Sequence, residues 1–389
     1  MLLERLGGPV AARLRRRDRT RVLMTADTVG GVWQYALDLA RGLSEAGVTT
    51  ILAVLGPAPS AGQALDARAI PGLTLIDTGL PLDWTAESPD EVLQAGAAVA
   101  ALAQQSGADI VHLNAPALAA GGAFCAPVVA VCHSCVATWW DAVRPAPLPP
   151  DFRWRTDLVR RGYAAADALL APTQAFAEAT LRTYGLARAP RVVHNGRHLT
   201  PAPQPASGPD EPFVFTAGRL WDEAKNVAAL DRAAARLAAP VLAAGPTQAP
   251  HGGAVKLSHV QVLGTLSGPE VAGYLAARPV FASIALYEPF GLAVLEAAQA
   301  GCPLVLSDIP TFRELWGGAA MFVASDDDAA IAAALEPLLR DPEERARAGA
   351  AARERAGRYT VAAMTAGVLG VYRDLLAPRT ARVPADAAA

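Results

Sequence analysis

From residue 21 to residue 323, short apolar runs alternate with longer Ala- and Leu-rich segments, and this pattern leaves few folds open. Strands buried on both faces read as near-continuous apolar runs, and the segments between them are long enough to cross over and keep neighbours parallel. Runs at 21–26, 49–55, 73–77, 110–113, 128–132, 168–171 and 191–194 predict a first parallel sheet. The segment T-P-A-P-Q-P-A-S-G-P-D-E-P at 200–212 breaks the series and reads as a Pro-rich linker. The alternation begins afresh with F-V-F-T-A-G and continues at 241–244, 260–263, 280–284, 303–306 and 320–323. The expectation is an α/β chain of two Rossmann-like domains, 21–199 and 213–357, facing one another across a cleft. A basic extension at 1–20 precedes them. A helix at 358–377 and a frayed Ala-rich tail at 378–389 follow.

Composition removes several classes of function. The chain has 389 residues, enough for two domains, and 52% hydrophobic residues can fill their cores. A net charge of -3 provides no global basic field, so no nucleic-acid partner is expected. Apolar stretches are interrupted well short of the roughly 20 residues that a membrane span needs, and the start lacks a signal-peptide core. The expected location is cytoplasmic. Arginines 13, 15, 16, 17, 19 and 21 concentrate positive charge near the start. They give the extension the chemistry for weak peripheral contact at the inner membrane face, whereas Gly7, Gly8 and Pro9 break its helical period and suit a solvated arm. Four scattered cysteines make no disulfide or zinc framework, and Cys132-x-x-Cys135 stands without a second pair.

In doubly wound sheets ligands bind beyond the carboxyl ends of the strands, and the unusual residues fall there. Gly30 and Gly31 sit between a strand and a helix, where backbone N–H groups can approach a phosphate or sugar; a tight structural turn is the alternative. No G-x-G-x-x-G occurs at this turn, which disfavours a nicotinamide cofactor. His133 ends an apolar strand, placed either to meet a ligand or to satisfy local backbone. Arg219 and Lys225, in A-G-R-L-W-D-E-A-K-N, follow the first strand of the second half and suit a diphosphate clamp or a solvated basic pair. In Y-E-P-F-G-L-A-V-L-E, Glu288 precedes a helix predicted to end at Gly301, and Glu296 lies about two turns further on. Carboxylates beside a helix N-terminus suit sugar hydroxyls next to an anion; a helix cap followed by a surface Glu is the plainer reading.

Taken together, G-R-L-W-D-E-A-K-N, V-L-G at 262–264, E-P-F-G-L-A-V-L-E and G-C-P-L-V-L-S-D-I-P-T-F-R-E-L resemble the retaining family-4 glycosyltransferases of GT-B architecture. The likeness spans nearly the whole second half. In the first half, G-G-V-W-Q-Y-A-L-D-L-A-R-G-L resembles the family's acceptor-domain opening helix, and V-V-H-N-G-R its approach to the interdomain linker.

The resemblance implies a nucleotide-sugar donor, no metal or cofactor, and a sugar, polysaccharide or lipid-linked acceptor. Arg219 and Lys225 would bind the donor diphosphate, and Glu288 the donor-sugar hydroxyls. Backbone at Phe290, Gly291 and Leu292 would hold sugar and phosphate, and Glu296 would take the ribose hydroxyls. Backbone near Leu263 would meet the base. Gly30 and Gly31 would approach the phosphate from the first domain, and His133 would meet the donor sugar or the developing oxocarbenium ion. It also implies that the helix at 358–377 crosses back to the first domain. Two departures stand out: the Arg219–Lys225 spacing is one residue longer than is common, and Asn226 replaces the usual glycine. Other GT-B enzymes, such as an epimerase or a phosphorylase, and a nucleotide-sugar-binding protein without transferase activity share this architecture.

Overall fold

The computed structural model describes residues 19–199, 209, 211–249 and 252–377. Nearly all of the basic extension, most of the 200–212 linker and the 378–389 tail lie outside the described residues. β1 (Arg21–Asp27), β2 (Thr49–Leu55), β3 (Leu73–Asp77), β4 (Ile110–Leu113), β5 (Val128–Val131), β6 (Ala168–Ala171) and β7 (Arg191–Val192) form a sheet ordered β3-β2-β1-β4-β5-β6-β7. β8 (Val214–Ala217), β9 (Val241–Ala244), β10 (Gln261–Gly264), β11 (Val280–Ser283), β12 (Leu304–Ser307) and β13 (Met321–Val323) form a second, ordered β10-β9-β8-β11-β12-β13. Every pairing is parallel.

Each expected strand forms, with ends displaced by a residue or two. β5 stops before Cys132, β7 before Val193, and β11 before Ile284. β10 begins after Val260, whose N–H donates to Asp231 Oδ1 at 2.8 Å and so is withdrawn from the ladder.

The strand orders place the ligand crevices. In each sheet the winding reverses beside the first strand, between β1 and β4 and between β8 and β11. At such a switch point the connections leave on opposite faces and open a gap beyond the carboxyl ends. Gly30 and Gly31 follow β1, His133 follows β5, Arg219 and Lys225 follow β8, and Glu288 follows β11.

The last helix, Val361–Leu376, packs into the first sheet's core rather than the second's. Val361, Met364, Val368, Val371 and Tyr372 bury against Val22, Met24, Trp33 and Leu39. The helix starts later than the expected residue 358 because Thr360 caps it, its Oγ1 accepting from the Ala363 N–H at 3.1 Å. Tyr359 stays with the second domain, where its hydroxyl donates to the Leu315 carbonyl at 2.9 Å. The outgoing and returning chains abut: the Gly196 N–H donates to Met364 Sδ at 3.3 Å, and any side chain at Gly196 would run into the Thr360 carbonyl.

Candidate active site in the interdomain cleft

The first-domain wall is built on the ends of β1, β4 and β5. The Gly31–Glu45 helix opens without a side-chain cap and without an acidic residue in its first turn, at the carboxyl end of β1. A Cβ added at Gly30 would lie 3.1 Å from an Arg219 guanidinium nitrogen, and one at Gly31 would lie 3.3 Å from Leu292 Cδ1. At these glycines the first domain leaves no spare room against Arg219 and Leu292 of the second. Asp27 sits behind them, its carboxyl raised above the ordinary range by burial against the opposing pull of the Val29 amide and the Arg219 charge.

His133 is held as a neutral ring. Burial lowers its pKa to about 3. Asn114 donates through Nδ2 to the Thr25 carbonyl at 2.7 Å, which turns its Oδ1 toward His133 Nε2 at 2.8 Å. Nε2 must then carry the hydrogen, leaving the Nδ1 lone pair as the ring's acceptor. The Tyr35 ring meets His133 edge-on at 4.5 Å between centroids, and the Tyr35 hydroxyl reaches His112 at 3.3 Å. A neutral imidazole does not repel a cationic centre.

The second-domain wall carries the charges. Arg219 donates to Asp222 Oδ2 at 2.9 Å. Burial works against the Asp222 carboxylate, yet Arg219, the Trp139 indole and the Ala224 amide together hold it below the usual range. Lys225 Nζ stands 2.5 Å from Glu288 Oε2, joining the loops that follow β8 and β11. Asn226 adopts a left-handed conformation with φ 49°, which an L residue other than Asn, Asp or Gly rarely accepts, and its Nδ2 donates to the Ser325 carbonyl at 2.8 Å. Asparagine is thus one of the few residues that this left-handed turn accepts in place of glycine. Gly291, at φ 87°, caps the Leu292–Ala300 helix without a side-chain hydrogen bond, and Gly301 ends it at φ 83°. Phe290 is buried in the second core, while Leu292 and Leu263 pack partly buried at its margin.

Glu296 is not simply open to a ligand. Its Oε1 accepts from Arg197 Nε at 2.5 Å. Arg197 also donates to Asp38 Oδ2 at 2.8 Å, and its guanidinium is only 8% exposed. Burial disfavours that charge, yet Glu296 and Asp38 raise the guanidinium pKa further. Within V-V-H-N-G-R nothing in the sequence marks Arg197 for this role, and nothing marks Asp222, Asn114 or Tyr287 for theirs. Tyr287 pairs with Thr138 at 2.8 Å across the cleft, while the Trp139 indole reaches Asp222 at 3.1 Å. Glu314 accepts from the Gln174 and Ala175 amides, each at 2.8 Å, a further contact between the domains.

The cysteines are free thiols, and Cys135 Sγ accepts from the Thr138 amide at 3.5 Å at the start of the Val136–Val143 helix. Among the described residues no cluster of three His, Cys, Asp or Glu side chains is arranged for a metal ion, and no helix is long and apolar enough to cross a membrane.

Comparison with known proteins bears on the same two halves. Residues 29–200 match the family described as Glycosyltransferase Family 4, and residues 202–355 match Glycosyl transferases group 1. An alpha-maltose-1-phosphate synthase of Mycolicibacterium smegmatis is 30% identical over 255 residues, which cover 56% of this chain and 66% of that protein. A phosphatidyl-myo-inositol mannosyltransferase of the same organism is 33% identical over 120 residues, 30% of this chain and 31% of that protein. The matched regions therefore span less than two thirds of either relative. Among solved structures, sucrose-phosphate synthase from Thermosynechococcus elongatus superposes with a TM-score of 0.75 at 19% identity, covering 92% of this chain and 100% of that one. Anabaena HepE in complex with UDP-glucose gives 0.68 at 18% identity, with coverage of 92% and 100%. The matches to both halves and the two facing parallel sheets agree: the chain belongs to glycosyltransferase family 4, with the two-domain Rossmann-like architecture termed GT-B.

Proposed function

We propose that this chain is a retaining glycosyltransferase that moves a hexosyl group from a nucleoside-diphosphate sugar to an acceptor hydroxyl. The observation that carries the reading is the approach of Arg219 to Gly30, which brings a guanidinium, the Lys225 ammonium and the uncapped Gly31–Glu45 helix N-terminus to one gap between the domains. Cations and amides converging from both domains suit a diphosphate. The known complex of HepE with UDP-glucose supports a nucleotide-sugar donor by likeness of fold.

Departure of the diphosphate builds positive charge on the anomeric carbon and negative charge on the leaving oxygens. Arg219, Lys225 and the helix N-terminus stabilise the latter, and preorganised donors of this kind commonly lead the catalytic effect. Glu288, held by Lys225, presents its other oxygen to donor-sugar hydroxyls, while Phe290, Gly291 and Leu292 offer backbone to sugar and phosphate. Leu263 offers backbone to the base. The acceptor hydroxyl enters on the face that the phosphate leaves, and the leaving phosphate takes its proton, which gives retention. The chemistry requires no metal or cofactor. Glycan or glycolipid biosynthesis in the cytoplasm fits this reading, with a sugar, polysaccharide or lipid-linked acceptor.

A panel of nucleotide sugars, followed by an acceptor screen, tests the proposal. Release of nucleoside diphosphate together with a glycosylated product of unchanged anomeric configuration is expected. Donor binding without turnover under any acceptor would instead make the chain a binding protein, and an inverted product would remove the same-face mechanism.

A further inference from the structure

Glu296 reaches its position through a residue that belongs to neither wall of the cleft. Arg197 lies just before the 200–212 segment, and its side chain spans the domains: Nε to Glu296 Oε1 at 2.5 Å, Nη1 to Asp38 Oδ2 at 2.8 Å. Its carbonyl accepts from Gln299 Nε2 at 2.8 Å, so its main chain is tied to the same helix that bears Glu296. Asp38 is fully buried on the Gly31–Glu45 helix, whose first turn carries the cleft glycines, and Arg41 takes its second oxygen at 3.3 Å.

We infer that Arg197 is a positioning residue for nucleotide recognition, fixing the Glu296 carboxylate for the ribose hydroxyls and coupling that orientation to Asp38 in the first domain. The inference deepens the donor reading of Glu296 and rests on it. With Oε1 anchored, the carboxylate plane is set, and among the described residues no group donates to Oε2. Glu296, Arg197 and Gln299 line an open groove of about 290 Å³, and the Glu296 side chain keeps 22% of its surface exposed. The two carboxylates are met by different nitrogens of one planar group, so the angle between them is built into the guanidinium. Lysine offers a single ammonium and cannot hold both in that relation. A buried carboxylate such as Asp38 needs its cation, which explains why the arginine stays put when the groove is open to solvent.

The test compares ribose recognition within each variant, so that general destabilisation cancels. Calorimetry with UDP, GDP and ADP identifies which binds the wild type; its 2′,3′-dideoxy counterpart is then measured. The wild type is expected to prefer the ribose form by roughly tenfold or more, the scale of hydrogen bonds to a charged acceptor. In Arg197→Lys and in Asp38→Asn that preference should fall to within about threefold while the dideoxy form still binds. If Arg197→Lys fails to fold, with Asp38 left poorly neutralised, the paired Arg197→Lys/Asp38→Asn chain carries the same expectation. An unchanged ribose preference in folded Arg197→Lys overturns the inference alone. Glu296→Gln with an unchanged preference overturns the ribose role of Glu296 and this inference with it. Failure of all three nucleotides to bind the wild type overturns the proposed function as well.

Discussion

Lys225 and Glu288 face each other at 2.5 Å from the loops after β8 and β11, two segments that only the reversal of strand order at the second switch point brings together. The pair is partly buried, at 26% and 15% side-chain exposure, so its charges are screened less than a surface pair's. On the proposed reading, an incoming diphosphate would compete with Glu288 for the ammonium.

Two substitutions at this pair should therefore act in opposite directions on nucleoside diphosphate binding. Glu288→Gln frees Lys225 and is expected to hold or strengthen that affinity while turnover of the full donor falls by about a hundredfold or more. Lys225→Ala removes a diphosphate contact and leaves Glu288 unpaired, weakening binding by roughly tenfold or more. Titration calorimetry and initial rates read both, and equal losses of affinity in the two variants would contradict competition for the ammonium.

Crowding at the cleft glycines gives a second expectation. Gly30 has φ -151°, which any residue adopts, so Gly30→Ala costs little in the fold. Its methyl would press on the Arg219 guanidinium at 3.1 Å. Activity should drop by about tenfold or more with the melting temperature nearly unchanged, since misplacement near 1 Å suffices for large losses. Thermal unfolding and kcat/KM on the same sample decide it; full activity would place the diphosphate elsewhere.

Acid should weaken the fold through its buried histidines. Burial, reinforced at His112 by the neighbouring His133, holds both at about 3 against an ordinary 6.5. Below that ordinary value the unfolded chain binds two protons that the native chain refuses, so stability is lost as pH falls. Asp83 acts oppositely: burial lifts it to about 6 from 3.8, so between those values the fold gains a proton that the unfolded chain lacks. Asp27, also raised by burial, acts in the same direction as Asp83, so the net excess is at most about one proton, or at most roughly 1.4 kcal/mol per pH unit below about pH 6. Urea midpoints across that range should fall, and more gently in His112→Gln; identical slopes would refute the assignment to His112.

Deleting the chain from residue 358 onward should unfold the first domain before the second. Five large apolar side chains leave the first core with that helix. At about 1.5–3 kcal/mol each, their loss is on the order of a whole domain's stability of about 5–15 kcal/mol. The deletion also removes the Tyr372 hydroxyl that hydrogen-bonds His112 Nδ1 at 2.7 Å. Hydrogen exchange in β1 and β4 should accelerate sharply, and retained protection there would contradict the packing role of the helix.

The strands were legible because each is a contiguous apolar run, and a parallel sheet buried on both faces writes itself locally. The Leu292–Ala300 helix was legible for a similar reason, bracketed by Gly291 and Gly301. The network at Arg197 was not. Its partners lie 99 and 159 residues away, and a lone arginine after H-N-G has no local periodicity to betray them. The same holds for Trp139 and Asp222, 83 residues apart, which meet only because the Val136–Val143 helix of the first domain faces the loop after β8 of the second. Asn226 departs from a glycine pattern, yet its φ of 49° is one that glycine and asparagine both adopt; a sequence displays residue types, not the φ that selects them.

The abutting crossings at Gly196 and Thr360 have a mechanical consequence. Two chains side by side, with no room for a side chain between them, form a double-leaf hinge whose stiffness is greatest against sliding and twisting. Any swing of one lobe against the other would have to pivot at these two residues. A protease cut within 200–212 would sever only one leaf and leave the Val361–Leu376 helix seated in the first core.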